Sequence, residues 1–268
     1  MLMEMEDKPV AEAVAPAPKR RPWGKIAGFS VLGVLLLILV FTGIIYVTLP
    51  NVEEVRERNP KETAIMRHRE AQFKEKGKKL RRIHYWAPLS RISPLLIQAV
   101  LISEDDKFFQ HEGFDWEEMR EAMEKNLDRK QVVRGGSTIT QQLAKNLYLR
   151  PARTPWRKLQ EALIARKLEK TLSKRRILEL YLNVIEWGDG LYGAEAAART
   201  CFGKAAAELT PAEAIRLVSV IINPHRYSAV SNASKRMRNK RLLLAQRMYQ
   251  RELFDEPTFQ SLCEDFSQ

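Results

Sequence analysis

A run of uncharged residues near the N-terminus constrains this chain more than any other feature. Residues 26–49 read IAGFSVLGVLLLILVFTGIIYVTL. At ~1.5 Å of rise per residue, a helix of this length crosses the ~30 Å hydrocarbon layer of a bilayer. Its apolar residues cover every face, whereas a buried core helix seldom stays apolar all round over such a length. The run therefore predicts a single transmembrane helix.

The flanks of the run predict its orientation. Lys19, Arg20, Arg21 and Lys25 precede it, and acidic residues follow it. Because Lys and Arg concentrate on the cytoplasmic side of membrane helices, we expect a cytoplasmic N-terminus and the bulk of the chain across the membrane. A cleaved signal peptide would have a shorter apolar core and a small-residue cleavage site. The segment TLPNVEEV after the run has no such site, so we expect the helix to stay as an anchor.

The rest of the chain is predicted to form one mainly α domain. A Ser or Thr followed by Pro, typical of the first turn of a helix, occurs at 93–94, 154–155 and 210–211. No alternation of apolar and polar residues longer than about four positions indicates a strand. Cys201 and Cys263 have no metal-ligand spacing, which excludes a zinc site of the usual kind.

These patterns divide the chain into five parts. The predicted parts are a disordered cytoplasmic tail (1–25), the transmembrane helix (26–49), a charged juxtamembrane segment (50–84), the main domain (85–250) and a C-terminal tail (251–268). The net charge of +12 favours an anionic partner, either nucleic acid, an anionic membrane surface or a phosphorylated substrate. Nucleic acid is disfavoured because the predicted topology places the domain outside the cytoplasm.

The first chemical motif is LISEDDKFFQHEGFDW, residues 101–116. On a helix, Glu104 shares a face with Ile97 and Leu101, whereas Asp105 and Asp106 rotate away from it. A carboxylate at the edge of an apolar stripe is partly desolvated, and this makes it a good proton acceptor. The alternative is a helix end that turns into solvent with three ordinary surface acids.

The second motif is RGGSTITQQLAKN, residues 134–146. A helix over this segment has a polar side of Thr138, Gln142 and Lys145, with Gln141 beside it. Hydroxyls, amides and one cation suit an oxygen-rich ligand such as a sugar or a phosphate, and a helix start after two glycines can bind an anion. The GK[ST] ending of a nucleotide-binding P-loop is missing. The alternative is the polar face of a surface helix.

The third motif is RTPWRKLQEALIARKLEK, residues 153–170. Helical spacing turns Glu161 inward and places Arg157 and Lys158 within one turn of it. The pattern leaves two interpretations open. One is a structural ion pair of small energetic value. The other is a second functional carboxylate held ionised by cations that also bind a leaving diphosphate.

Five segments together resemble the motifs of the peptidoglycan glycosyltransferase family, in the order of that family. They are EDDKFFQHEGFD (104–115), GGSTITQQLAKN (135–146), RKLQE (157–161), KRRILELYLNVIEWGDGLYGAEAAA (174–198) and CFGKAAAELTPAEAIRLV (201–218). Cys201 stands where the family usually has Tyr. No Ser-x-x-Lys occurs in the chain, so it resembles the monofunctional biosynthetic members, without transpeptidase activity.

The resemblance implies a lysozyme-like, mainly α glycosyltransferase domain and a defined reaction. A lipid-linked growing glycan is transferred to the 4-hydroxyl of lipid II with inversion, which forms a β-1,4 link and releases undecaprenyl diphosphate. Glu104 would be the general base on that hydroxyl. Glu161 would position and neutralise the diphosphate together with cationic side chains.

The resemblance also implies a set of substrate-binding residues and partners. The expected binding residues are Ser137, Thr138, Gln141, Gln142, Lys145, Asn146, Arg153, Arg157 and Lys158. No cofactor or resident metal site is expected, although a divalent cation (Mg²⁺ or Mn²⁺) can accompany the donor diphosphate. The expected partners are lipid II, the lipid-linked glycan, the membrane and other cell-wall synthesis proteins. The expected location is the bacterial inner membrane, with a periplasmic catalytic domain.

Two other classes of protein compete with this interpretation. A lytic, lysozyme-like hydrolase would need an acid that protonates a sugar leaving group. A diphosphate leaves without that help and requires cations instead, which the third motif supplies. A membrane-anchored binding protein without enzymatic activity is disfavoured because both expected carboxylates are present.

Overall fold

The computed structural model describes residues 23–128, 136–152, 154–231 and 234–267. Most of the predicted cytoplasmic tail and the predicted binding residue Arg153 lie outside the described residues. The chain divides into two compact units, Met1–Thr48 and Leu49–Gln268. The two units are described separately below.

In the first unit the described residues form the helix α1 (Trp23–Thr48). Within α1, the side chains of residues 23–31, 34 and 48 are not described. Among the side chains that are described, no helix is long and apolar enough to cross a membrane. The assignment of 26–49 as a transmembrane helix therefore stays a prediction.

The second unit is mainly helical, as the sequence predicts. Its helices are α2 (Glu54–Glu57), α3 (Ala64–Glu75), α4 (Pro94–Glu104), α5 (Trp116–Asp128), α6 (Ile139–Tyr148), α7 (Pro155–Thr171), α8 (Lys174–Val184), α9 (Ala194–Phe202), α10 (Pro211–Val220), α11 (Lys235–Tyr249) and α12 (Glu256–Ser267). Short 3₁₀ turns cover Leu89–Arg91 and Ala206–Glu208. The strands are β1 (Ile83–His84), β2 (Glu186–Gly188) and β3 (Leu191–Tyr192).

Side-chain caps begin several of these helices. The hydroxyls of Thr138, Thr154, Ser173 and Thr210 each accept a backbone N–H from the first turn of α6, α7, α8 and α10. Each cap satisfies a donor that the helix itself leaves free. Ser93 also precedes a helix, as predicted, but its hydroxyl donates to the carbonyl of Leu209 (3.3 Å) and so ties α4 to the segment before α10.

The core of the unit lies where α6 packs on α7 and α8, and where α10 packs on α4 and α11. Buried aliphatic side chains such as Leu96, Leu143, Leu168 and Leu217 fill these contacts. At ~25 cal/mol per Å² of apolar surface, this burial is the main stabilising contribution to the fold. It also holds the ends of α4, α6 and α7 in fixed positions relative to one another.

A small sheet with the order β1-β3-β2 borders the helical core. β1 pairs with β3 in parallel, and β2 pairs with β3 in antiparallel orientation. Gly190, in the turn between β2 and β3, has a φ of +74°, and a Cβ on it would lie 2.6 Å from the carbonyl oxygen of Arg81. Only glycine satisfies both conditions, so the turn of EWGDGLYG can pass close to the chain before β1.

Two predicted segments differ from expectation. Residues 251–268, expected as a tail, contain α12, which packs on α11 and buries Leu262 and Phe266. Residues 50–84, expected as a separate juxtamembrane segment, belong to the same compact unit as the main domain, because α3 packs on α6 and buries Met66. In both segments a few apolar residues among many charges were enough to anchor a helix.

Candidate active site

The turn after α4 joins the first motif to the second. Asp105 Oδ2 accepts the backbone N–H of Ile139 (2.9 Å), and its Oδ1 accepts from Nε2 of His111 (2.9 Å). Nδ1 of His111 accepts the N–H of Gly113 (3.1 Å), so the ring proton must lie on Nε2. Asp105 therefore binds the N-terminus of α6 and fixes the position of the residue before it, Glu104.

Asp105 is the most buried of the three adjacent acids, with 2% of its surface exposed. Helical phase turns Asp105 away from the apolar stripe, but α4 ends at Glu104, and Asp105, with φ −167° and ψ 81°, shapes the turn that follows. Helical phase does not apply beyond the last helical residue. Asp106 is exposed and forms a two-fold ion pair with Arg251.

Glu104 lies at the C-terminal end of α4 with 15% of its side chain exposed. Oε1 accepts from the hydroxyl of Ser103 (3.0 Å), and Oε2 accepts from Nε2 of Gln142 (3.2 Å). Nζ of Lys240 lies 3.9 Å from Oε1. A carboxylate oxygen has two acceptor positions, so each oxygen of Glu104 still has capacity to accept a further proton.

Gln142 is oriented toward Glu104 by a residue that the sequence analysis missed. The phenol of Tyr181 donates to Oε1 of Gln142 (3.1 Å), which leaves the amide NH₂ to face Glu104. Burial, with Glu104 and Asp105 nearby, raises the pKa of Tyr181 well above its ordinary value. The phenol therefore stays protonated and acts as a fixed donor. In the sequence, Tyr181 reads only as an apolar position of α8.

Two cavities meet beside this contact. The first, which we name the Glu104 cavity, has a volume of about 750 Å³ and is lined by Ile102, Ser103, Glu104, Asp105, Asp106, Glu118, Ile222, Lys240, Arg247, Gln250 and Arg251. The second, the Lys145 cavity, has a volume of about 320 Å³ and includes Gln142, Lys145, Asn146, Glu186, Ile222 and His225 in its lining. Ile222 lines both cavities. The hydrogen bond between Gln142 and Glu104 connects a residue that lines the second cavity to one that lines the first.

Glu161 is buried in α7, with 3% of its surface exposed. Its Oε2 accepts from Nη1 of Arg157 (2.5 Å), and its Oε1 accepts from Nζ of Lys158. Lys158 also donates to the hydroxyl of Ser137 (3.0 Å). Arg157 and Lys158, the predicted cations, thus contact Glu161, the predicted carboxylate. Both oxygens of Glu161 therefore accept charge-assisted hydrogen bonds, which are the stronger kind.

Lys145, on α6, faces Glu161, Arg157 and Lys158. Its side chain is partly buried, and among the described residues it makes no hydrogen bond or ion pair. Burial lowers the pKa of Lys145, the carboxylate of Glu161 acts against this, and the Arg157 and Lys158 cations lower it further. An ammonium that lines a cavity without a protein partner is suited to bind an anion from solution.

The remaining predicted binding residues divide into two groups. Asn146 lines the Lys145 cavity, next to Lys145. Thr138 and Gln141 are buried and form a capping box, in which each side chain accepts the backbone N–H of the other. The Thr138 hydroxyl also donates to the carbonyl of Gly113 (2.7 Å). These two side chains therefore stabilise the start of α6, and neither lines the Glu104 cavity or the Lys145 cavity.

One group of side chains has metal-ligand chemistry. The ligand atoms of Glu186, Asp189 and His225 lie within 4.8 Å of one another. The guanidinium of Arg69 contacts the same atoms, 2.5 Å from Asp189 Oδ1 and 3.3 Å from His225 Nδ1. Burial outweighs the nearby Arg69 and raises the pKa of Glu186 to about 7. Arg69 supplies the positive charge here, and a metal ion would have to displace it.

The residues around Glu161 do not form a metal site either. Each oxygen of Glu161 accepts from a cation, Arg157 or Lys158, and this positive charge repels a divalent ion from the same oxygens. Mg²⁺ requires oxygen ligands in near-octahedral geometry. A divalent ion at the donor diphosphate would therefore depend on phosphate oxygens and water, and no chemical step below is assigned to one.

In the described part of this mainly helical domain, an accessible carboxylate, a carboxylate held by cations and a lysine without an ion pair lie close together, an arrangement suited to group transfer with an anionic leaving group. The family model described as Transglycosylase matches residues 71–249. The chain belongs to this family.

Relatives at high identity support the same placement. The chain is similar to the "Biosynthetic peptidoglycan transglycosylase" of Laribacter hongkongensis, at 43% identity over 218 residues, which cover 81% of this chain and 92% of the relative. A protein of the same name from Chromobacterium violaceum is 45% identical over 194 residues, 72% of this chain and 85% of the relative. One from Azoarcus sp. is 52% identical over 172 residues, 64% and 74% of the two chains.

Proposed function

We propose that this protein is a peptidoglycan glycosyltransferase that polymerises glycan chains. It transfers the lipid-linked growing glycan to the 4-hydroxyl of lipid II with inversion, forms a β-1,4 link and releases undecaprenyl diphosphate. Family membership and the names of the relatives support this activity. The observation that carries the mechanism is the contrast between Glu104, whose oxygens can accept a proton, and Glu161, whose oxygens are engaged by cations.

Glu104 acts as the general base. The proton of the acceptor 4-hydroxyl moves to a carboxylate oxygen of Glu104, the hydroxyl oxygen attacks the anomeric carbon of the donor, and the bond from that carbon to the diphosphate breaks. Gln142 and Ser103 hold the carboxylate by one hydrogen bond on each oxygen. A base held in place in this way contributes typically 10²–10⁴-fold to the rate.

The leaving diphosphate is bound by the cations around Glu161. Lys145 is unpaired among the described side chains, and Arg157 and Lys158 lie beside it. Arg153 is expected to join them from the resemblance. Positive charge placed where negative charge develops stabilises the transition state without reorganisation during the reaction. Glu161 keeps Arg157 and Lys158 oriented, and a diphosphate needs no proton in order to leave.

A lytic hydrolase is the second candidate, and the site disfavours it. Hydrolysis of a glycosidic bond needs a protonated carboxylic acid next to the leaving sugar oxygen. Both oxygens of Glu161 accept from cations, Arg157 and Lys158, so this side chain is poorly placed to donate a proton to a leaving sugar. Glu104 is assigned to the attacking side. The described site thus lacks a suitable acid, but it has the cations that a diphosphate requires.

The setting follows from the substrate. An N-terminal anchor at 26–49 in the bacterial inner membrane, with a cytoplasmic N-terminus, would hold a periplasmic domain beside lipid-linked donor and acceptor. The domain requires no cofactor and has no transpeptidase activity. A divalent cation can accompany the diphosphate, and other cell-wall synthesis proteins can dock on the domain.

The experiment is a comparison of two substrates with the purified full-length protein. With lipid II, the protein should form glycan polymer and release undecaprenyl diphosphate. With preformed glycan alone, chain length should stay constant. Shortening of the preformed glycan without consumption of lipid II would identify a hydrolase and overturn the proposal.

A further inference from the structure

Three acids stand at the end of α4, where the helix dipole disfavours negative charge. Two of them have close partners. Asp105 is bonded to His111 and to the N-terminus of α6, and Asp106 is bonded to Arg251. Among the described residues, the hydrogen-bond donors to Glu104 are neutral, namely Ser103 and Gln142. A charge partner for Glu104 must therefore come from elsewhere in the fold.

Lys240 meets this requirement. It lies on α11, which packs on α4, and its Nζ is 3.9 Å from Oε1 of Glu104. Only 25% of its side chain is exposed, and it lines the Glu104 cavity. Two opposite charges at this distance interact appreciably when they are partly withdrawn from water. Burial lowers the pKa of Lys240, and the Glu104 carboxylate acts against this lowering.

The position of Lys240 is fixed by its neighbour. Arg241 is fully buried, and its guanidinium donates to the hydroxyl of Ser219 (3.1 Å) and to the carbonyls of Ser231 (2.9 Å) and Ser228 (2.9 Å). These bonds attach α11 to α10 and to the loop before α11. The backbone that carries Lys240 is therefore held rigidly beside Glu104.

We propose that Lys240 is a positioning residue of the transferase, whose ammonium is the charge partner of Glu104 and keeps its carboxylate directed into the Glu104 cavity. The inference rests on the proposed function, because it assigns Lys240 a role only through Glu104 as general base. It extends the site to α11, a helix outside the five sequence motifs.

Other charged groups face Glu104 less closely. Lys145 approaches from α6, but it interacts more strongly with Glu161 than with Glu104. Tyr181 on α8 is a neutral phenol, and Asp105 and Glu118 are acids. Arg251 is bonded to Asp106, and Arg247 lines the same cavity. Among the described residues, Lys240 is the cation that comes within 4 Å of Glu104.

The test is the pH dependence of kcat/KM for lipid II, measured on full-length wild type, Lys240→Met, Lys240→Gln and Lys240→Arg. Met keeps the length of the side chain and removes the charge, and Arg keeps the charge. Lys235→Met is the matched control, because Lys235 lies on the same helix and is exposed. Thermal unfolding of each variant shows whether it is folded.

An opposite charge within ~4–6 Å typically shifts a carboxyl titration by 1–3 pH units. We therefore expect the acid limb of the profile to move up by about one unit or more in Lys240→Met and Lys240→Gln, with much of the rate recovered at high pH. Lys240→Arg and Lys235→Met should keep the wild-type profile. An unmoved acid limb in a folded, charge-free variant would overturn the inference. Failure of the wild type to polymerise lipid II would instead overturn the proposed function.

Discussion

Glu104 and Glu161 are the same residue type in contrasting surroundings. Glu104 ends a helix at the edge of a cavity, with neutral hydrogen bonds from Ser103 and Gln142 and a cation 3.9 Å away. Glu161 lies inside a helix, buried, with Arg157 and Lys158 in direct contact with its two oxygens.

The difference shows how surroundings divide the work between two carboxylates. A base must accept a proton, so it needs open acceptor positions and a mild electrostatic environment. A buried carboxylate that holds cations needs close positive partners, because their charge offsets the cost of its burial. The predictions below test this division, starting with the largest expected effect.

Glu104→Gln should reduce lipid II polymerisation by about 10²–10⁴-fold, because the amide cannot accept the acceptor proton. The amide can still form hydrogen bonds, so the fold should persist. Initial rates of polymer formation provide the measurement. Glu112→Gln is the control, because Glu112 is an exposed acid of the same motif. Polymerisation by Glu104→Gln at the wild-type rate would show that another group is the base.

Glu161→Gln should reduce the rate by more than tenfold, which corresponds to about 1.4 kcal/mol of transition-state stabilisation. The amide loses the charge that orients Arg157 and Lys158. Glu195→Gln is the matched control, since Glu195 and Arg199 form another ion pair at four residues' spacing on α9. A loss below tenfold in Glu161→Gln would make Glu161 a structural residue.

The contact between Asp105 and His111 should affect stability more than chemistry. Asp105→Asn and His111→Asn should each lower the free energy of unfolding by about 1–3 kcal/mol, because each leaves a buried polar group poorly bonded. A double-mutant cycle from denaturant unfolding should give a coupling of at least 0.5 kcal/mol (about the lower limit for residues in contact). Additive effects of the two substitutions would contradict the hydrogen bond between them.

Glu186 is a third type of carboxylate, and its expected effect is on stability and not on the reaction. Burial raises its pKa in the folded protein to about 7 from 4.5. The folded state therefore holds the proton more tightly than the unfolded state, and this contribution to stability is lost as pH rises from about 4.5 to about 7. The loss amounts to at most about 3 kcal/mol.

Glu186→Gln should flatten the decline in the free energy of unfolding over this pH range. Denaturant unfolding at a series of pH values measures it. An unchanged pH dependence in the variant would show that Arg69 keeps Glu186 ionised. Polymerisation of lipid II should change little, because Glu186 has no assigned step in the reaction.

Much of this site could be predicted from the sequence, because its signals are local. The caps at Thr154 and Thr210 and the cations beside Glu161 follow from spacings of three and four residues. The sequence also singles out Glu104 by its place at the end of an apolar stripe, and the structure places Glu104 at the edge of a cavity.

The rest depends on tertiary packing. Helical phase does not predict the burial of Asp105, because α4 ends at Glu104 and the backbone changes direction at the next residue. Tyr181 and Lys240 act across the fold, and no sequence spacing joins them to Glu104. Thr138 and Gln141 had a signal that was not used, because Thr followed by Gln three residues later is the pattern of a capping box.

The central claim is that different residues act on the two reacting groups. Glu104 accepts the proton of the attacking hydroxyl, and Lys145 with the cations around Glu161 binds the leaving diphosphate. Calorimetric titration of a short prenyl diphosphate into wild type, Glu104→Gln and Lys145→Met tests it directly. A hydrogen bond to a charged group contributes about 1.5–3 kcal/mol, so Lys145→Met should weaken binding by tenfold or more. Glu104→Gln should bind within about threefold of wild type, a difference below 1 kcal/mol. Equal weakening in both variants would contradict this division.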